Sequence, residues 1–291
     1  MRARVALSGA VVAAAALSAA VDAQAPAPAG NFGGGALAAP PDDHFGPGNA
    51  VVALRALPGR KLEIEATVRS TCSGGDVAAD ATVSADGNFS ASGTERTQPA
   101  RDVKVTTTFT LAGAFTSPSA ADGTISATIR RRDGGRTSTC RTGEVRFGVR
   151  RPAGTVGTPG TDLARRYYGT TSQRGAGPHR PIVLRVSGDG LVISRALFGE
   201  SVRCSDGTRS TGIDAPRTNA RIDSKGRVKD RERYEIKRGN AVVKVDDRFT
   251  AQLGSAGARG TLALSDRTLD RSSGKVIESC RSGVVKWTAA P

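Results

Sequence analysis

The chain repeats itself once, and duplication of a unit of about a hundred residues constrains the fold more than any other feature. Cys140-Arg141-Thr142-Gly143-Glu144-Val145-Arg146-Phe147 recurs as Cys280-Arg281-Ser282-Gly283-Val284-Val285-Lys286-Trp287. Cys72-Ser73-Gly74-Gly75 recurs as Cys204-Ser205-Asp206-Gly207, and Leu54-Arg55-Ala56 as Leu184-Arg185-Val186. Phe115-Thr116 followed by Gly123-Thr124 matches Phe249-Thr250 followed by Gly260-Thr261. The order of the blocks is the same in both halves. Copy one is therefore expected over 50–149 and copy two over 165–291, as two domains with separate cores. Residues 150–164 contain Arg151-Pro152-Ala153-Gly154 and Thr158-Pro159-Gly160, which reads as a linker. Residues 24–49 are rich in Pro, Gly and Ala and read as a disordered leader.

Within each copy the hydrophobic period is two. Leu62, Ile64, Ala66 and Val68 alternate with Glu63, Glu65, Thr67 and Arg69. Asp-Gly turn signals at 86, 122, 133, 189 and 206 punctuate such runs. Alternation split by Gly turns indicates antiparallel strands. The expected fold is all-β: two tandem homologous domains, each an antiparallel sandwich or a small barrel.

Residues 1–23 read as a secretory signal. Arg2 and Arg4 precede an uncharged Ala-rich run, and Val21-Asp22-Ala23 offers a cut before Gln24. The run is too weakly apolar for a membrane anchor. The mature chain is expected to be soluble and secreted or attached to the envelope. Four Cys suit an oxidising compartment. Each copy owns one Cys of each type, so equivalence pairs Cys72 with Cys140 and Cys204 with Cys280. Closing loops this long contributes about 4 kcal/mol in the chain-entropy model.

The C-S-x-G, G-T and C-R-x-G-x-V-x-aromatic order resembles secreted, duplicated β-domain proteins of high-GC actinobacteria over 50–290. Phe147 stands where that pattern has Trp. The resemblance implies a compartment and a β fold, and no reaction.

The composition offers little to catalysis. The only two His, His44 and His179, lie outside the repeated blocks. A Ser–His–Asp hydrolase needs His beside its nucleophile, and no G-x-S-x-G elbow is present. Asp246-Asp247 are adjacent on an expected strand, point to opposite faces and cannot flank one substrate; their counterparts by block alignment are Ala112 and Gly113. The Asp-Gly turns lack calcium-loop spacing. Trp287 shares its place with Phe147 and reads as a core residue. No enzyme, cofactor or metal is expected.

Charge is the feature that stands out. The chain carries 42 Lys+Arg against 27 Asp+Glu, a net +15. Copy two contributes most of it, with 25 basic and 13 acidic residues against 14 and 10 over 50–150. Arg227, Lys229, Arg231 and Arg233 alternate, which places them on one face of a strand about 6.6–6.8 Å apart. Their counterparts Asn88, Ser90, Ser92 and Thr94 are neutral. Arg130, Arg131 and Arg132 form a second cluster. Arg suits bidentate contacts with phosphate or carboxylate. The expected function is a non-enzymatic binding module for an anionic polymer or cell-envelope component. The alternative is a structural or protein-interaction module whose charges only protect a strand edge; an unrecognised extracellular enzyme ranks below both. With 12 aromatics in the chain, sequence-specific nucleic-acid reading by stacking is not expected. Non-reducing peptide mapping is expected to recover the Cys72–Cys140 and Cys204–Cys280 peptides; a link between the copies refutes the equivalence.

Overall fold

The computed structural model describes residues 29–38, 46–100, 102–152, 154–175, 177–214 and 219–291. The signal segment and His44 lie outside them. Copy one has eight strands: β1 (Gly30–Ala36), β2 (Ala50–Leu57), β3 (Lys61–Arg69), β4 (Gly74–Thr82), β5 (Asn88–Ala100), β6 (Val103–Ser117), β7 (Ala120–Asp133) and β8 (Arg136–Arg150). Their order is β4-β3-β2-β1-β8-β7-β6-β5, with antiparallel neighbours throughout. First strand meets last, so the meander rolls into a barrel-like sheet with its seam between β4 and β5.

Copy two repeats the plan: β9 (Arg166–Arg174), β10 (His179–Val186), β11 (Val192–Cys204), β12 (Arg209–Asp214), β13 (Ala220–Arg221), β14 (Arg227–Arg238), β15 (Ala241–Gly254), β16 (Gly257–Asp270), β17 (Val276–Arg281) and β18 (Val285–Ala290). Its order is β12-β11-β10-β9-β18-β16-β15-β14, with β13 on β11 and β17 joining β11 to β16. Both predicted disulfides are present, one in each half. Cys204 and Cys280 stand opposite each other where the end of β11 meets β17, so the bridge pins two barrel walls together at that pole. Val202, Val245 and Leu264 pack around it.

Strand pairing explains why particular blocks recur. Phe147 lies opposite Gly123, and Trp287 opposite Gly260. A Cβ at either glycine would press into the ring, 2.7 Å from its nearest atom, so the missing side chain is the seat of the aromatic. Trp287 is 2% exposed and stacks on Phe249 with centroids 5.6 Å apart. The same ladders correct the alignment of the Phe blocks. Leu111 faces Ile125 as Phe249 faces Leu262, and Phe115 faces Ala121 as Leu253 faces Ala258. Phe249 is thus the counterpart of Leu111, four residues earlier than the sequence match placed it.

Two boundaries differ from expectation. The disordered leader is not disordered over 30–36: it is β1, the strand that closes barrel one. Phe32 is fully buried and meets Phe115 edge-on at 5.3 Å. Tyr167 holds the matching place on β9, opposite Leu184 as Phe32 is opposite Leu54. The linker is not free either. Gly160 N–H donates to Leu253 O at 3.1 Å and Ala256 N–H to Val156 O at 3.1 Å, which lays the segment along the β15–β16 hairpin. Leu163 and Ala164 pack on core two.

Nor do the copies have wholly separate cores. Leu37 and Val51 of copy one join Val183, Leu197 and Ile213 of copy two in one buried cluster. Arg185 donates to Leu37 O at 2.6 Å and Arg195 to Ala38 O at 2.9 Å, satisfying carbonyls just past β1. Arg180 pairs with Glu65 at 3.1 Å, and Gly177 N–H donates to the same carboxylate. Arg150 lies over the Tyr168 ring at 5.2 Å. Gly composition misled the sequence reading because here it serves contact: a methyl group at Gly33 would fall on the Gly169 carbonyl of the facing strand. Gly33→Ala is expected to cost about 1–3 kcal/mol by overpacking, read as a lower midpoint in denaturant. Gly154→Ala, with nothing within 4 Å of the added carbon, is the control expected to stay unchanged.

Candidate functional site

The cationic row lies where alternation placed it. β14 is the last strand of its sheet, and Arg227, Lys229, Arg231 and Arg233 are all exposed on its outer face. Val228 is buried on the inner face, with Asp230, Glu232 and Tyr234 half-buried behind it. Cross-strand register extends the row into a face. Arg227 leads to Gln252, Arg259 and Thr288; Lys229 to Thr250, Thr261 and Lys286; Arg231 to Arg248 and Ala263. The same outer ladder in copy one carries Ser90, Ala112, Thr124 and Arg146, then Ser92, Thr110 and Ser126. One backbone plan thus presents a neutral edge row on β5 in copy one and a cationic edge row on β14 in copy two.

The row itself is not uniform. Arg231 forms a two-pronged pair with Asp246, Arg233 reaches the same carboxylate at 3.3 Å, and Arg248 stands 3.8 Å away. The hydrogen bond from Arg231, helped by Arg233, holds the Asp246 carboxyl down at about 2. Arg227 is paired with Asp223 at 3.0 Å. Of the four, Lys229 alone has no acidic partner among the described residues. Arg221 and Arg259 are likewise without one, and with Arg227, Lys229, Thr250 and Gln252 they line an open groove of about 680 Å³. Sequence spacing found the row but missed Arg221 and Arg259, which reach it only through β13 and β16. Their signal in the sequence is weak: Arg259 replaces Asp122, two strands from the row.

The second cluster divides. Arg130 and Arg132 are exposed on the outer face of β7, where Arg130 joins Arg96 across Thr106 and Arg132 joins Lys104. Arg131 points the other way and pairs with Asp133 at 2.8 Å.

The remaining candidates take structural parts. Asp246 and Asp247 do face opposite sides, Asp247 being 5% exposed within the barrel. Their counterparts are Thr108 and Phe109, not Ala112 and Gly113, because of the four-residue shift in the Phe blocks. His179 Nδ1 lies 2.9 Å from Thr171 O, and the His179 backbone N–H donates to Asn31 Oδ1, so it serves the junction of the copies. Asp189 and Asp206 accept hydrogen bonds from the hydroxyl and amide groups of their own turns, which lower their carboxyls.

No protein-family model and no curated protein matches the chain. Among solved structures it is similar to a Bacteroides fragilis protein named as a candidate outer membrane protein, at 12% identity, covering 90% of this chain and 97% of that one, with a TM-score of 0.24. No helix among the described residues is long and apolar enough to cross a membrane.

Because Asp246 titrates lower in the folded chain than the roughly 3.9 of an unfolded one, its stabilisation is present above that value. It is lost as pH falls through about 2. Asp246→Asn is therefore expected to lose less stability between pH 4 and 2 than the wild type, measured by thermal melts across that range. Parallel curves refute the pairing.

Proposed function

We propose that this is an exported, non-enzymatic binding protein that holds an anionic polymer of the cell envelope or its surroundings on the outer face of copy two. One observation carries the reading. The β14 row Arg227, Lys229, Arg231 and Arg233 is matched by the neutral Asn88, Ser90, Ser92 and Thr94 of copy one, and Arg259 by Asp122, so the barrel does not require these charges. The groove beside β14 holds Arg221, Lys229 and Arg259, which have no acidic partner among the described residues, beside Arg227 and its partner Asp223. Arg forks and hydroxyl or amide neighbours suit phosphate or carboxylate groups along a chain. The two disulfides fit an oxidising compartment. The basic outer strands of copy one, with Arg130 and Arg132, offer a second foothold, and two linked patches gain avidity on one polymer.

A second reading has its own support. Asp246 already occupies Arg231 and Arg233, as expected if those two only protect the sheet edge. Retention on an immobilised anionic polymer across a salt series separates the two. Arg221→Ser, Lys229→Ser and Arg259→Ser together are expected to lower affinity roughly tenfold or more, at up to about 1 kcal/mol per exposed contact, and to flatten the salt dependence. Arg231→Ser with Arg233→Ser is expected to change it little. A folded triple variant that elutes like the wild type refutes the site.

A further inference from the structure

The arm of copy two runs past its barrel. Beyond the meeting of β11 with β17 at Cys204 and Cys280, strands β14 to β17 continue for about four residues, roughly 13 Å. At its end Lys237, Val242, Leu269 and Val276 form one ladder row on the outer face. Ile236 and Val243 lie opposite each other on the other face, and Ile277 bulges out of β17. Val276 is 50% and Ile277 61% exposed, and the other aliphatic residues are half-buried. The matching outer row of copy one reads Lys104, Arg132, Thr137, so the barrel does not require an apolar end.

We propose that this tip enters the headgroup layer of an anionic lipid surface. The inference rests on the reading of copy two as anion-seeking and names a partner for its far end. Aliphatic side chains on both faces of a thin, four-stranded end suit immersion, whereas a protein partner would cover one face. Only Val276 and Ile277 of the tip's aliphatic residues are exposed, little apolar surface beside the roughly 800 Å² per partner of a stable protein interface. Lys237, Lys244, Arg267, Arg271 and Lys275 flank the tip, with Glu235, Asp270 and Glu278 the nearby acids; Glu235 pairs with Lys244, and Asp270 is tied to Ser272 and Ser273. Shallow apolar insertion beside cations is how peripheral proteins hold anionic leaflets.

Co-sedimentation of the full chain with phosphatidylglycerol–phosphatidylcholine vesicles tests it. Binding is expected to these vesicles and not to pure phosphatidylcholine. Val276→Ser with Ile277→Ser is expected to weaken it about tenfold and leave retention on a soluble-type anionic polymer unchanged. Leu191→Ser, an exposed aliphatic on the β10–β11 turn, is the control expected to bind normally. A wild type that does not pellet, or a double variant that pellets equally, overturns the proposal. If polymer retention persists in that case, the basic-face reading stands; loss of both refutes both. Should the double variant misfold, Val276→Trp gives an independent readout. Its added emission is expected to be quenched by lipids brominated on the acyl chain, and unquenched emission overturns the proposal.

Discussion

Each half of this molecule depends on one event: the first strand of a meander must pair with the last. In copy one β1 supplies both missing ladders, to β2 and β8, and delivers Phe32 into a core that already holds Phe89 and Phe115. In copy two β9 does the same between β10 and β18, with Tyr167 in the matching place. Without that strand the sheet would keep two open edges and an unfilled centre, both costly. The closing strands are also where the two halves meet, which is why glycine stands at Gly33: a side chain there would fall on the Gly169 carbonyl of β9, whereas one at Gly169 would strike Thr288 and Ala289 of its own barrel. Closure and the joining of the copies are therefore one packing problem.

Once the barrels close, their poles and walls are free to diverge. The disulfide holds one pole in both copies, so the strands beyond it stand as arms whose outer faces carry little of the core. There the copies differ most. Copy one dresses its wall in Ser and Thr and its tip in Arg and Lys, whereas copy two has cations along the wall and aliphatic residues at the tip. Inside, Gly93 against Phe109 in copy one becomes Glu232 against Asp247 in copy two. Duplication freed one copy to change its surface chemistry while pairing kept the backbone plan.

Much of the fold was legible because strand periodicity and turn chemistry are local. Leu62 to Val68 alternate visibly, and the cationic row on β14 obeys the same rule, so its shared face could be read directly. The Cys blocks could be paired because each copy owns one Cys of each type, so a bridge within each copy is Cys72 with Cys140 and Cys204 with Cys280. The Gly-rich leader was misread because composition cannot tell a flexible segment from one whose missing side chains admit a neighbouring strand. The Phe blocks were misaligned for a related reason: an aromatic residue that moves four places along a strand still points inward.

Sequence alone determined the strand class, the duplication, the disulfides and the side of the sheet on which each charge falls. These follow from alternation over a few residues and from comparison of two copies. Only the tertiary structure decided that β1 closes barrel one and that the copies share a buried cluster. It alone showed that Asp246 neutralises Arg231 and Arg233 while Arg221 and Arg259 join Lys229. Those outcomes depend on which strands become neighbours, and cross-strand neighbours come from distant parts of the chain through a register that no local pattern records.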